Sequence, residues 1–446
     1  MRGGKTFILS LIVAALALSA CGGREPTTVA TAVATSEGRP ADESGADETY
    51  VEVPAKEGEE TAPDTDSTEE PVTEERLEAG KSDGGSHDES AVEATPAPAQ
   101  DIEIHEIEEL QAGQCDDNLR FDEFKALIRD LYPAHLDLIE DRVVISVQRP
   151  DGSPVHGALV DVEGQQELLL RAGSDGKVYL FPGLYRVEAP IRAQVRCPGA
   201  GAGQVEPEAL PQQGHYGEQV TVELPCAQPQ QVLLDVVYLH DVTGSMQDEM
   251  TQLQATTERV MAMLEDAYGQ SQGMIRVGGV LYRDRGDDFI TEMIDFDTPG
   301  GFSRTFRQFG AYGGGDKPES VNAGLEEALR MDWREEAIKV VVLVGDAAPH
   351  DYADDPWDRY LDLSKEAVQR GVRLHTISAS GMRDRGELAW REMAVISGGK
   401  FVFLTYEGAA ESEPGGETTR HVEGYNVDDL GSIVFSLLKQ EIENQR

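Results

Sequence analysis

The sequence is short of basic residues, and this shortage excludes two classes of partner. Only 38 of its 446 residues are Lys or Arg, against 83 Asp and Glu, so the formal net charge is −45. Such a charge repels nucleic acid and anionic lipid, and we expect the folded chain to bind neither. It suits divalent cations, basic partners or a high-salt habitat, and composition does not separate these three.

The sequence also lacks an apolar run long enough to cross a membrane. Residues 7–18 are almost entirely apolar but fall short of the roughly 20 residues that a spanning helix needs. With the positive charges before them, they predict a signal peptide over residues 1–20. Leu18-Ser19-Ala20-Cys21 resembles the bacterial lipobox, which implies a lipid anchor on Cys21 and a location in the cell envelope outside the cytoplasm. Without Asp after Cys21, the resemblance favours the outer membrane if the cell has two; the alternative is an ordinary signal peptide that contains a cysteine.

Cysteines are few, and none has the spacing of a zinc site. Four occur, and with Cys21 assigned to the anchor, three remain for an oxidising compartment. Cys197 and Cys226 each end a strand-like run, so we predict a disulfide between them. The loop it would close is worth ~3 kcal/mol of stability in the chain-entropy model. Cys115 would then be free or intermolecular.

Residues 21–113 lack the apolar and aromatic side chains that a folded domain buries. From Gly22 to Gly113 there are 26 Asp and Glu against 5 Lys and Arg, and Tyr50 is the only Phe, Trp or Tyr. So little apolar surface cannot offset the conformational entropy lost on ordering the chain. We therefore predict a disordered acidic linker that holds the folded part away from the membrane.

Two shorter regions follow this linker. Residues 114–139 carry apolar side chains at helical spacing, which predicts a helical segment. Residues 140–228 hold short strand-like runs separated by turns, which predict a small β-sandwich. The stretches Val143–Gly164 and Ala172–Ala189 resemble the carboxypeptidase-regulatory-like, Ig-like repeats of surface proteins, which implies a spacer or accessory module.

In residues 231–446 the sequence pattern changes, and predicted strands alternate with predicted helices. Val232–Leu239 and Ala337–Val344 are continuous apolar runs, as expected of strands that are buried on both faces. Amphipathic segments such as Met246–Tyr268 and the closing segment Val427–Ile442 predict helices. The fold class is therefore α/β, with a doubly wound, mostly parallel, Rossmann-like sheet.

Two of these strands end in short acidic motifs, where such sheets bind their ligands. Asp241, Thr243 and Ser245 follow the first strand at alternate positions, and Asp346 lies just past the second. All four offer hard oxygen donors, which suit Mg²⁺ or Mn²⁺ and not soft metals. Helix capping alone would explain Asp241, Thr243 and Ser245. The placement of Asp346 favours a metal site instead.

This arrangement resembles the metal-ion-dependent adhesion site of the von Willebrand factor type A (VWA) family. The family's Asp-x-Ser/Thr-x-Ser motif matches Asp241, Thr243 and Ser245, and its late Asp matches Asp346. The resemblance covers residues 231–446. One element departs from the family pattern, because Asp316 stands where many members have a metal-linked Thr. Asp316 could coordinate directly or through water, with Glu319 close by.

The resemblance implies a bound Mg²⁺ (or Mn²⁺) that leaves one coordination position for a partner's Asp or Glu. We therefore expect an envelope-anchored adhesion protein that captures a protein or glycan ligand, and no enzymatic activity. No Gly-x-Ser-x-Gly elbow, P-loop or HExxH motif occurs in the sequence. The alternative is an envelope assembly or scaffold factor that uses the same domain to hold complex subunits together. His350 follows the second motif, and a structural role is its simpler interpretation.

Overall fold

The computed structural model describes residues 31–33, 109–164, 168–199, 212–269, 273–315, 317–405 and 420–446. The predicted signal peptide, the lipidation residue Cys21 and nearly all of the predicted linker lie outside these residues. The described residues belong to one compact unit. Within the described ranges, no helix combines the length and the apolar character that crossing a bilayer requires.

Before residue 230, the described residues form mainly short strands. Two four-stranded sheets are present, in the orders β1-β9-β3-β6 and β5-β4-β7-β8. The elements are β1 (Thr31–Val33), β2 (Gln111–Cys115), α1 (Phe121–Leu131), α2 (Leu136–Ile139), β3 (Val143–Gln148), β4 (Leu159–Val162), β5 (Leu168–Arg171), β6 (Lys177–Leu180), α3 (Pro182–Tyr185), β7 (Ile191–Arg196), β8 (Gln212–Gly214) and β9 (Gln219–Glu223).

After residue 230, the described residues alternate between strands and helices. Their strands form one eight-stranded sheet together with β2, in the order β12-β11-β10-β13-β14-β15-β2-β16. The elements are β10 (Leu234–Asp241), α4 (Gln247–Tyr268), β11 (Ile275–Tyr282), β12 (Thr291–Asp297), α5 (Pro299–Phe306), α6 (Val321–Arg330), β13 (Ile338–Gly345), α7 (Arg359–Arg370), β14 (Val372–Ser378), α8 (Asp384–Ser397), β15 (Phe401–Thr405), β16 (Val427–Asp429) and α9 (Leu430–Glu443).

The eight-stranded sheet is mostly parallel and is covered on both faces. Strands β11, β10, β13, β14 and β15 run parallel to one another, and every residue of β10 and β13 is buried. One hydrophobic core lies under α4, α5 and α9, and another lies under α6, α7 and α8. Continuous apolar strands are buried in this way because helices cover both faces of the sheet. The structure thus confirms the predicted α/β class and the mostly parallel sheet.

The two four-stranded sheets share one hydrophobic core. Strands β3 and β4 bury every second residue, as strands with one exposed face do. The cysteines predicted to pair, Cys197 and Cys226, form a disulfide that links the chain after β7 to the chain after β9. Cys115 is free and buried, and burial together with the nearby Asp117 carboxylate raises the pKa of its thiol to about 12.

Two predicted boundaries are wrong. We expected linker up to residue 113 and a helical segment from residue 114, but β2 (Gln111–Cys115) pairs antiparallel with β15 in the large sheet. We also expected the closing helix to begin at Val427, but Val427–Asp429 pairs with β2, and α9 begins at Leu430. Both segments are short and only weakly apolar, so their pairing depends on a sheet edge that is distant in sequence.

Candidate metal centre

The residues of the two acidic motifs meet at one edge of the large sheet. Asp241 is the last residue of β10, and Asp346 directly follows β13. The two strands are parallel neighbours, with His240 opposite Val344, so their carboxyl ends lie side by side. Asp241 and Asp346 are both fully buried. Topology therefore brings together two carboxylates that are distant in sequence.

Hydroxyl groups connect the two carboxylates. Thr243 Oγ1 donates to Asp241 Oδ1 over 2.7 Å, and the backbone N–H of Thr243 donates to the same oxygen over 2.9 Å. Ser245 Oγ lies 3.2 Å from Thr243 Oγ1 and donates to Asp346 Oδ1 over 3.1 Å. Thr243 is buried and Ser245 is exposed, so the set extends from the interior to the surface. The four side chains predicted from the sequence thus form one continuous cluster.

A glycine loop lies against this cluster. Gly244 N–H donates to the carbonyl of Gly313 over 3.1 Å, and Gly314 has a φ of +78°. A β-carbon on Gly314 would lie 3.1 Å from the β-carbon of Thr243, so both the backbone conformation and the close approach favour glycine. Asp316, the fifth predicted ligand, lies outside the described residues, and its coordination stays a prediction.

The buried carboxylates fit a bound cation. Asp241 Oδ2 has no hydrogen-bond partner of normal geometry among the described residues, and neither has the nearby Tyr282 hydroxyl. Burial, followed by repulsion from Asp346, raises the pKa of Asp241 to about 7. Leaving a buried carboxylate oxygen unpaired costs free energy that a divalent cation would offset. The donor set, two carboxylates and two hydroxyls, is the set that Mg²⁺ and Mn²⁺ prefer.

An internal cation also reaches this cluster. The ammonium group of Lys317 lies 2.8 Å from Asp346 Oδ2 and donates to the carbonyls of Asp346 and Gly381, each over 3.2 Å. The side chain is 35% exposed, so it can leave the cluster without the cost of exposing a buried group. Lys317 would therefore compete electrostatically with a divalent cation at Asp346.

Replacing Lys317 with Met should tighten Mg²⁺ binding roughly tenfold, because a positive charge beside the bound ion is removed. Calorimetric titration of the wild-type and variant proteins measures the change. Lys439→Met, which removes an exposed ammonium paired with Glu443 on α9, is the matched control and should leave the affinity unchanged. Weaker Mg²⁺ binding in Lys317→Met would show that the lysine supports the site instead of competing with it.

A second group of ligating side chains lies in the same part of the molecule. Asp284, Glu319 and His350 are buried, and one ligating atom of each lies within 4.8 Å of the others, so the group could hold a metal ion. Burial and the surrounding carboxylates, Asp241 first, raise the pKa of Glu319 to about 9. We expected Glu319 to lie near the metal, but Asp284 and His350 were not predicted as ligands. The only sequence signal for Asp284 and His350 is that they follow the strands β11 and β13.

The raised pKa values of Asp241 and Glu319 predict how stability depends on pH. Both groups hold their proton more tightly in the folded state than in the unfolded state, so stability falls as the pH rises from about 4 towards 9. Without metal, we expect the free energy of unfolding to be several kcal/mol lower at pH 8 than at pH 5, because each group contributes ~1.4 kcal/mol for every pH unit over which it is protonated only in the folded state.

Urea unfolding in EDTA at the two pH values checks this prediction. The side chain of Asp241→Asn is neutral at both pH values, so this variant should lose part of the pH dependence. The difference between the wild-type protein and the variant therefore measures the contribution of Asp241 separately from that of the histidines. Saturating Mg²⁺ should restore stability mainly at pH 8, where Asp241 is mostly ionised and its carboxylate can bind the cation. An equal pH dependence of stability in the wild-type protein and the Asn variant would contradict the assignment of a raised pKa to Asp241.

Comparison with known proteins gives only distant similarity. No protein-family model matches the chain, and no curated protein matches it. Among solved structures, the pilus adhesin SpaC from Lactobacillus rhamnosus GG in its open conformation is similar at a TM-score of 0.35 and 10% identity, over 57% of this chain and 31% of that one. An aerotolerance-related membrane protein from Bacteroides fragilis NCTC 9343 is similar at a TM-score of 0.31 and 13% identity, over 47% and 98%.

The chain thus spans less than a third of the length of SpaC. At these TM-scores, the interpretation of the site depends on its own residues and not on either protein. A VWA-like fold is compatible with the order of the strands, with the helices on both faces of the sheet and with the position of the acidic motifs.

Proposed function

We propose that this protein is a divalent-metal-dependent binding protein of the bacterial cell envelope, built on a VWA-type domain. The observation that carries the proposal is the cluster of Asp241, Thr243, Ser245 and Asp346 at the ends of two parallel strands. Its hydrogen bonds join all four side chains, and one buried oxygen of Asp241 has no hydrogen-bond partner of normal geometry among the described residues. Such a cluster is suited to hold a hard cation.

Each residue of the cluster has a distinct part in this proposal. Asp241 and Asp346 supply the negative charge that neutralises Mg²⁺ or Mn²⁺, and Thr243 and Ser245 supply neutral oxygen donors. When bound, the cation supplies an electrophilic position for an anionic ligand. Ser245 is exposed and Asp241 is fully buried, so a ligand would approach from the Ser245 side. A carboxylate of a protein or glycan is the group that best complements this position.

Two observations support a place outside the cytoplasm. The disulfide between Cys197 and Cys226 is typical of proteins in oxidising compartments. The sequence around Cys21 resembles a lipobox, and a lipid on Cys21 would anchor the protein without a membrane-spanning helix. The acidic linker over most of residues 21–113 would then separate the binding domain from the membrane surface.

A displayed library of random peptides tests the proposed function. We expect peptides selected in Mg²⁺ to be released by EDTA, to contain an essential Asp or Glu, and to lose roughly a hundredfold or more in affinity when that residue becomes Asn or Gln. Asp346→Asn should bind none of them. Selected peptides that bind equally well in EDTA and to Asp346→Asn would contradict metal-dependent capture and favour the scaffold function.

A further inference from the structure

The chain brings Asp284, Glu319 and His350 together from three separate loops. Asp284 follows β11, Glu319 precedes α6, and His350 follows β13. Two backbone hydrogen bonds join the latter two loops, from His350 N–H to the carbonyl of Glu319 over 3.1 Å and from Glu319 N–H to the carbonyl of Ala348 over 3.0 Å. These backbone hydrogen bonds hold the loops that carry the carboxylate and the imidazole side by side.

Glu319 provides the observation that points to a ligand. Its side chain is buried, with 1% of the residue exposed, and Oε2 has no hydrogen-bond partner within the part of the chain that the structure describes. A buried carboxylate oxygen without a partner is costly unless it is protonated or coordinates a cation. The charged side chains that act on it most strongly are all carboxylates, so none of them neutralises its charge.

The other two members of the group already contact each other. His350 Nε2 pairs with Asp284 Oδ1, and the Tyr352 hydroxyl lies 3.2 Å from the same nitrogen. Ser320 Oγ donates to Asp284 Oδ1 over 3.3 Å. A metal ion bound at Nε2 would take the place of the hydrogen bond between His350 and Asp284, with the imidazole neutral and its proton on Nδ1.

We infer that Asp284, Glu319 and His350 form a second metal site, which takes a transition-type ion such as Zn²⁺ or Mn²⁺. The donor set is one imidazole nitrogen and two carboxylates, and nitrogen ligation favours these ions over Mg²⁺ and Ca²⁺. The site therefore differs in selectivity from the all-oxygen cluster at Asp241. It does not depend on the proposed capture of a carboxylate ligand.

Glu319 lies between the two sites. A β-carbon on Gly314 would lie 3.1 Å from Thr243 Cβ and 3.2 Å from Glu319 Oε1, so one oxygen of Glu319 lies towards the Asp241 cluster. The tests must therefore separate the two sites, and removing Asp241 while leaving His350 in place does so.

Zn²⁺ titration of the full-length Asp241→Ala protein tests the second site. We expect this variant, which has lost Mg²⁺ binding, still to bind one Zn²⁺, and a further His350→Gln change to weaken Zn²⁺ binding roughly a hundredfold or more. His215→Gln is the matched control, because His215 is exposed and pairs with Glu218 on the surface. It should change the affinity less than about twofold. Unchanged Zn²⁺ binding after His350→Gln, or no Zn²⁺ binding in Asp241→Ala, would overturn the inference.

Spectroscopy of bound Mn²⁺ keeps the inference testable if His350→Gln does not fold. Mn²⁺ in the Asp241→Ala protein should show coupling to a histidine nitrogen in electron spin echo experiments, and the His215→Gln change should not remove it. Glu319→Gln, which keeps the size of the side chain and the imidazole, should weaken Mn²⁺ binding roughly tenfold or more. Mn²⁺ without nitrogen coupling would overturn the site. Retained Mg²⁺ binding in Asp241→Ala would instead count against the proposed function.

Discussion

Replacing Asp241 with Ala should weaken Mg²⁺ binding at least about a hundredfold, which corresponds to roughly 3 kcal/mol. Asp241 is fully buried, and its Oδ1 accepts hydrogen bonds from both the hydroxyl and the backbone N–H of Thr243. Its removal takes away one of two charged ligands and also the acceptor that orients Thr243. Calorimetric titration with Mg²⁺ and Mn²⁺ measures the loss.

The control for this prediction is Asp354→Ala. Asp354 is exposed and pairs with Arg285, so removing it changes the net charge equally without touching the cluster. We expect its Mg²⁺ affinity to stay within about twofold of the wild-type value. The metal-free Asp241→Ala protein should not be less stable than the wild-type protein at pH 8, because a buried, repelled carboxylate is lost. Equal Mg²⁺ affinities in Asp241→Ala and Asp354→Ala would contradict the site.

Replacing Arg373 with Met should lower the free energy of unfolding by about 3–5 kcal/mol, the usual cost of breaking a buried ion pair. Arg373 lies on β14 and is buried, with its guanidinium 2.6 Å from Asp175 Oδ1 and 3.1 Å from Glu441 Oε1. It thus joins the region of β5 and β6 to α9. Burial by itself would raise the pKa of Glu441, but the positive charge of Arg373 and the hydrogen bonds with His375 and Ser174 together outweigh burial and hold this pKa at about 2.

Urea unfolding at pH 7 measures this loss. Arg307→Met, which breaks an exposed ion pair with Glu258, is the matched control and should cost less than about 1 kcal/mol. Adding Glu441→Gln to Arg373→Met should recover part of the stability, because it removes the carboxylate that the first change leaves unpaired. Equal losses for Arg373→Met and Arg307→Met would show that the buried pair contributes little.

The central part of the fold and the grouping of Asp241, Thr243, Ser245 and Asp346 could be predicted from the sequence for physical reasons. Strands that are buried on both faces must be apolar throughout, so β10 and β13 stand out as continuous runs. A metal loop needs its donors at alternate positions next to a strand end, and Asp241, Thr243 and Ser245 show that spacing. Asp346 could be placed beside them because parallel neighbours end at the same edge.

The remaining features depend on contacts that are not local in sequence. β2 and β16 are short, and each becomes a strand only because the edge of the sheet beside β15 is available to them. The second cluster joins Asp284, Glu319 and His350, which belong to no shared motif, and only the folded chain places their ligating atoms within 4.8 Å of one another. Single residues on separate loops carry no spacing signal that sequence reasoning could detect.

The most direct test of the central claim is an anomalous diffraction measurement on crystals of the protein grown with Mn²⁺. We predict an anomalous peak between Asp241 and Asp346, about 2.0–2.3 Å from their carboxylate oxygens, with Thr243 and Ser245 as neutral ligands in the same coordination shell. The peak should disappear in crystals of Asp241→Ala. A fully ordered site without a peak, or Mn²⁺ found only at Asp284, Glu319 and His350, would contradict the proposed metal-dependent function.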